Sequence, residues 1–146
     1  MKNICLLFVI LFFVACSVTN NEKYVQNFKR DFKFTAYCSC LLEGYNSKSL
    51  RSQMTDIDKS FYSPVITSVF SDELRKIATE EDKIMKKDSV KSIKYVSEAL
   101  AGKKVQLHCL NFFTSKKLDS LTNLNYKKWK NIKNIDSLLN IKNPGF

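Results

Sequence analysis

The chain has 146 residues, 45% hydrophobic and 26% charged, with three Gly, two Pro and a formal net charge of +10 carried mainly by Lys. That size and apolar content describe one globular domain around one core and exclude a disordered chain. So few turn residues argue against a many-stranded β protein and for long helices.

The first element is a targeting segment. Lys2 gives a small positive start, Ile4 to Val14 is an unbroken apolar run, and Phe13-Val14-Ala15-Cys16 precedes polar residues. The run is well short of the roughly 20 apolar residues that span a bilayer, so residues 1–15 read as a signal peptide. A small residue directly before Cys16 resembles a bacterial lipoprotein processing box, in which Cys16 becomes the lipidated first residue. Phe13 stands where Leu is usual, and cleavage near Ala15 is the alternative. The expected location is periplasmic and membrane-anchored through Cys16. Nucleic acid is therefore not an expected partner, which leaves plain solubility, an acidic protein or an anionic envelope surface to explain the charge.

Residues 16–21 read as a polar tether, followed by a long helix from Glu22 to Tyr45. In it Val25, Phe28, Phe32, Ala36 and Cys40 follow helical spacing, with Cys38, Leu42 and Tyr45 on a second row. A second helix is predicted from Ser49 to Tyr62, ended by Ser63-Pro64 because a residue before proline avoids helical angles. Val65 to Phe70 is an apolar run that fits a strand or a short helix. Ser71-Asp72-Glu73-Leu74 predicts a helix start with Ser71 as N-cap, continuing through Leu74, Ile77, Ala78, Ile84 and Met85 to about Lys87, with a break at Thr79 to Asp82.

Asp88 to Ala101 carries Val90, Ile93, Val96, Ala99 and Leu100 at helical spacing, and Gly102 punctuates it. Lys103 to Phe113 predicts a helix with Val105, Cys109, Phe112 and Phe113 on one side and Leu107 and Leu110 beside them. Ser115 restarts a short helix through Leu118 and Leu121. The tail, Tyr126 to Ile141, combines Trp129, Ile132, Ile135, Leu138 and Leu139 with Lys127, Lys128, Lys130 and Lys133, a basic amphipathic segment that either docks on the core or lies on an anionic leaflet. The expected architecture is all-α: a compact single-domain bundle of about five to seven helices. Its divisions are a domain over residues 22–124 and a basic extension over 125–146.

Chemistry-bearing motifs are sparse. No metal-ligand spacing, Gly-rich phosphate loop or nucleophile elbow occurs, and no cofactor or enzymatic activity is expected. His108 is the lone histidine and adjoins Cys109; on a helix these side chains point about 100° apart, poor geometry for a thiolate–imidazole pair. Glu80-Glu81-Asp82 reads as a solvated helical face. With Cys5 removed and Cys16 lipidated, Cys38, Cys40 and Cys109 remain for one disulfide and one leftover thiol. A bridge from Cys38 or Cys40 to Cys109 closes a loop of about 70 residues, worth about 4 kcal/mol by the chain-entropy model. Periodicity does not choose between Cys38 and Cys40.

The two cysteine segments, Phe34-Thr35-Ala36-Tyr37-Cys38-Ser39-Cys40-Leu41-Leu42-Glu43-Gly44-Tyr45 and Gly102 to Leu121, together resemble the exported immunity proteins that neutralise type VI secretion amidase effectors, specifically the fourth amidase-immunity family. In that family a cysteine precedes a small residue plus Tyr by four positions on an early helix. A second cysteine recurs in a late Lys-Cys-hydrophobic-Asp-aromatic stretch that runs into Ser-x-x-Leu. Cys40 matches the first because Gly44-Tyr45 follows; Cys109 matches the second, with Leu110, Asn111, Phe112 and Phe113 after it and Ser115 and Leu118 closing the pattern. Cys38 is an extra thiol, His108 replaces the usual Lys, Met1–Cys16 looks like a lipoprotein signal rather than a plain one, and the segment after Leu124 lies outside the pattern.

The resemblance implies an all-helical fold, a disulfide between Cys40 and Cys109 with Cys38 as the alternative partner, a homodimer, and tight binding to a peptidoglycan amidase whose cleft the protein blocks sterically. It does not locate the inhibitory segment. Dense charge at Lys86, Lys87, Lys91 and Lys94 marks the expected partner-binding stretch. A competing reading is a structural or adhesive envelope lipoprotein whose basic tail contacts membrane or polyanion.

Overall fold

A computed structural model describes residues 2–93, 95, 97 and 101–142, with side chains from 22 onward except those of 136 and 142. Six α-helices follow in order: α1 (Lys2–Tyr45), α2 (Lys48–Ile57), α3 (Pro64–Ser92), α4 (Val105–Phe113), α5 (Lys116–Lys130) and α6 (Ile135–Lys142), with a 3-10 turn at Lys59–Phe61 between α2 and α3. The described residues contain no strand, and the expected all-α domain with one disulfide is what the chain forms. Among those residues no helix is long and apolar enough to cross a membrane.

α1 buries most of the stripe foreseen for it: Phe28, Phe32, Ala36 and Cys40 are in the core and Val25 is partly buried. Of the second row only Cys38 is buried, Leu42 being partly buried and Tyr45 exposed, and Leu41 joins the core instead. Its start differs from expectation. The helix runs unbroken from Lys2, so residues 16–21, read as a tether, are helical in their backbone. Cys16 lies in the part of α1 whose side chains are outside the described set, and its lipidation with it.

α2 stops at Ile57 instead of Tyr62. Asp58 takes an extended conformation (φ −113°, ψ 103°), and its carboxylate accepts from the Ser60 N–H to cap the 3-10 turn. Ser63 is extended, as a residue before proline should be, and Pro64 occupies the first turn of α3, where its missing N–H costs nothing. The ambiguous run Val65 to Phe70 is helical. Phe70 leaves helical angles (φ −117°, ψ 23°), so the expected helix start at Ser71 appears as a kink inside one long helix. No break occurs at Thr79 to Asp82, and α3 continues to Ser92.

The separate helix expected over Asp88 to Ala101 does not form as such. Its first turn belongs to α3, Ile93 is the C-cap, and residues 93, 95, 97 and 101 are outside helix. Val90 and Ile93 are exposed; Lys94, Val96, Ala99 and Leu100 lie outside the described residues. Gly102, at φ +128°, supplies a left-handed step before α4 that a side chain would oppose.

Ser115 caps α5 as expected, its hydroxyl accepting from the Leu118 N–H at 3.1 Å. This helix is longer than foreseen and carries Tyr126 and Trp129, so the division placed between residues 124 and 125 falls inside α5. The tail is two pieces rather than one: Asn131 ends α5, and the side-chain Oδ1 of Asn134 accepts from Ser137 N–H at the start of α6.

Specific contacts set the directions. Phe70 lies against Phe28 and Phe32, and Met85 against Gly44, so α3 runs parallel to α1. Val105 meets Gly44, Cys109 bonds Cys40, and the Phe113 ring meets Tyr37 at 5.7 Å, so α4 returns antiparallel. α5 continues that return: Lys33 donates to Asp119 at 2.7 Å, Phe28 packs on Tyr126 and Trp129, and the Trp129 indole N–H donates to the Tyr24 hydroxyl at 2.9 Å. The molecule thus has two ends, one around Tyr24, Phe70 and Trp129, the other around Gly44, Met85 and Val105.

Candidate functional site

The Gly44 end collects the polar chemistry of the chain. Leu74, Ile77, Ala78, Glu81, Asp82 and Met85 follow i, i+3, i+4 spacing on α3, and all six are buried. Two acids therefore occupy the core stripe, which corrects the reading of Glu80-Glu81-Asp82 as a solvated face. Only Glu80 is exposed. The missed signal was this register: Leu74, Ile77, Ala78 and Met85 alone put positions 81 and 82 inward.

Burying a carboxylate is costly unless it is paired and hydrogen-bonded, and each of these is. Glu81 takes Lys117 Nζ of α5 at 2.5 Å on one oxygen and faces His108 Nε2 of α4 at 2.8 Å with the other. Asp82 takes Lys103 Nζ at 2.6 Å and Lys86 Nζ at 2.6 Å. Lys103 also donates to the Gly44 carbonyl at 3.1 Å, at the C-terminus of α1, where a cation complements the helix dipole. The acids do point apart, by about 100° as neighbours on a helix must, but each points at its own donors. Together they fasten α3 to α1, to α4 and to α5.

Burial opposes ionisation of Asp82, yet the hydrogen bonds and charges of Lys103 and Lys86 outweigh it and hold its carboxyl below the usual carboxylate range. The same bond holds the Lys86 ammonium above the usual lysine range. Lys86, one of the expected partner-binding lysines, is thus engaged within the fold. Lys87 and Lys91 are exposed one turn apart on α3, and Lys94 lies outside the described residues.

Beside these acids a groove of about 270 Å³ opens between α3 and α4, with Met85, Ser89 and Ser92 on one wall, Leu107, His108 and Asn111 on the other, and Gly102 and Lys104 at its end. Leu107 is more than half exposed, as is Leu110 on the outer side of α4, so the two leucines expected beside the core row face outward. Ile84 is also partly exposed.

The disulfide joins Cys40 to Cys109, with a Cα–Cα separation of 5.8 Å across 69 positions of sequence. Cys38, the alternative partner, is a buried free thiol. Burial, and then the charge of nearby Asp58, push that thiol up to about 11. A nucleophile needs its thiolate, so Cys38 is poorly placed for covalent chemistry. Among the described residues no group of three or more His, Cys, Asp or Glu side chains could hold a metal ion. What this end offers is a rigid, donor-rich surface with a shallow groove, an arrangement suited to binding.

The tail presents a different picture. Trp129 is buried, and Ile132 and Ile135 pack against the core, so its apolar face turns inward. Lys127, Lys128, Lys130 and Lys133 remain exposed.

No family model matches this chain, and no curated protein or solved structure is significantly similar to it.

Proposed function

We propose that this chain is an exported inhibitor of the immunity type, which binds a peptidoglycan amidase effector of a type VI secretion system and blocks its cleft without performing a reaction itself. The reading rests on the resemblance of the two cysteine segments. One observation carries it further: the residues that define the two segments touch each other. Cys40 bonds Cys109, and one turn on in α1 and one turn back in α4 Gly44 meets Val105. A Cβ at Gly44 would come within 2.7 Å of Val105 Cγ1 and 2.8 Å of Met85 Cε, closer than side chains tolerate. A small residue four positions after the first cysteine is therefore what this helix pair requires. The pattern has a packing reason, and its halves belong to one unit.

Partner contact is assigned to the Gly44 end. Lys87 and Lys91 are available there for an acidic partner surface, with Leu107 at the groove as an apolar contact. Lys86 contributes less, because Asp82 already holds it. The periplasm, reached through the N-terminal segment and with a membrane anchor at Cys16, is where such a toxin meets the cell wall. The test mixes the full chain, disulfide intact, with the amidase encoded beside it, and follows hydrolysis of purified peptidoglycan. One equivalent abolishes hydrolysis under this proposal; undiminished hydrolysis in excess inhibitor contradicts it.

A further inference from the structure

We infer that the Tyr24 end of the molecule rests on an anionic lipid surface, with the lysines at the end of α5 as its contact and a lipid on Cys16 as its anchor. This inference does not depend on the inhibitor reading. It follows from where two features meet. α5 runs antiparallel to α1, from Asp119 beside Lys33 to Trp129 beside Tyr24, so its last turn points toward the N-terminal part of α1. That turn carries Lys127, Lys128 and Lys130, and Lys133 follows.

Lys128 pairs with Glu73, and Lys130 lies over the Tyr126 ring at 5.9 Å. Among the described residues no acid lies within ion-pair distance of Lys23, Lys127 or Lys130, and all three are exposed. Against them stands Glu22, exposed and next to Lys23 in sequence.

Cys16 belongs to the same unbroken helix. From Cys16 to Tyr24 is eight residues, about 12 Å at 1.5 Å per helical residue. A lipid anchor at Cys16 therefore brings these lysines to within about one and a half Debye lengths of the headgroups, the Debye length being about 8 Å at physiological salt, and basic residues that close add to adhesion. A single hydrophobic anchor holds only marginally, and a basic cluster beside it is the second signal that makes attachment stable. The Gly44 end, with Lys87, Lys91 and the groove, then faces away from the bilayer.

The test reconstitutes the full chain into nanodiscs of phosphatidylcholine alone or with phosphatidylglycerol, acetylates lysines briefly, and reads each site by mass spectrometry. With the anionic lipid, acetylation of Lys127 and Lys130 falls by at least about fivefold, and about 0.5 M salt, which shortens the Debye length to about 4 Å, restores it. Lys87 and Lys91 keep the same acetylation in both discs and serve as the internal control for folding. Lys127→Glu combined with Lys130→Glu exposes Lys23 again. Equal acetylation of Lys127 and Lys130 in both lipids overturns the inference, as does protection of Lys87 and Lys91 in their place.

Discussion

At the Tyr24 end of the bundle Phe28, Phe32, Phe70, Tyr126 and Trp129 pack ring to ring, with centroids 5.3–6.3 Å apart. At the Gly44 end the helices are joined instead by a disulfide, two buried carboxylates and the donors those carboxylates collect. Aromatic packing tolerates no water but asks little of charge. A buried ion-pair cluster makes the opposite demand: it holds only while every acid keeps its partners. The difference teaches where this protein can present polar groups at a surface without losing rigidity. Lys87, Lys91 and the α3–α4 groove sit over the fastened end, and that end is the one assigned to a partner.

The contrast can be broken from either side. Phe32 is fully buried between Phe28 and Phe70, so Phe32→Ala should lower unfolding free energy by about 4 kcal/mol, read by urea titration. Replacing both Cys40 and Cys109 with Ala releases the closure of a long loop and should cost about 4 kcal/mol. In that variant hydrogen exchange should rise at α4 and the end of α1 more than around Trp129. Glu81→Gln leaves Lys117 and His108 without their carboxylate. Because Lys117 is half exposed and can turn to water, the loss should be about 2 kcal/mol, while Glu80→Gln on the exposed face stays within about 0.5 kcal/mol.

A pH titration sharpens the same contrast with a smaller effect. The folded Asp82 carboxyl binds its proton less readily than the unfolded one, so its contribution is present above the ordinary value of 3.8 and is lost as pH falls through the lower folded value. Thermal unfolding followed from pH 5 down to 2.5 should therefore show a steeper loss in the native chain than in Asp82→Asn. Equal slopes would mean that Lys103 and Lys86 do not hold this acid.

Much of the fold was legible because its signals are local. The stripe Phe28, Phe32, Ala36 and Cys40, the extended Ser63 before Pro64 and the cap at Ser115 each depend on neighbours within a turn or two. Lengths were harder. α3 absorbs both the run Val65 to Phe70 and the start of the segment beginning at Asp88, since a kink at Phe70 lets one helix cross what reads as a boundary. The candidate site was the least legible part. Glu81 and Asp82 look like surface residues until Lys103, His108 and Lys117 are brought to them from 21 to 36 positions away. The choice of Cys40 over Cys38 has the same origin: both thiols are buried on α1, and only the approach of α4 decides.

The most direct test of the account compares the two ends as partner surfaces. Lys87→Glu with Lys91→Glu, and separately Lys127→Glu with Lys130→Glu, would be made in the full chain and their association with the neighbouring amidase followed by stopped flow at low salt. The account predicts that the α3 pair slows association by about tenfold while the α5 pair leaves it unchanged, since charges near a docking surface act mainly on the on-rate. A slowed α5 variant with an unaffected α3 variant would contradict it.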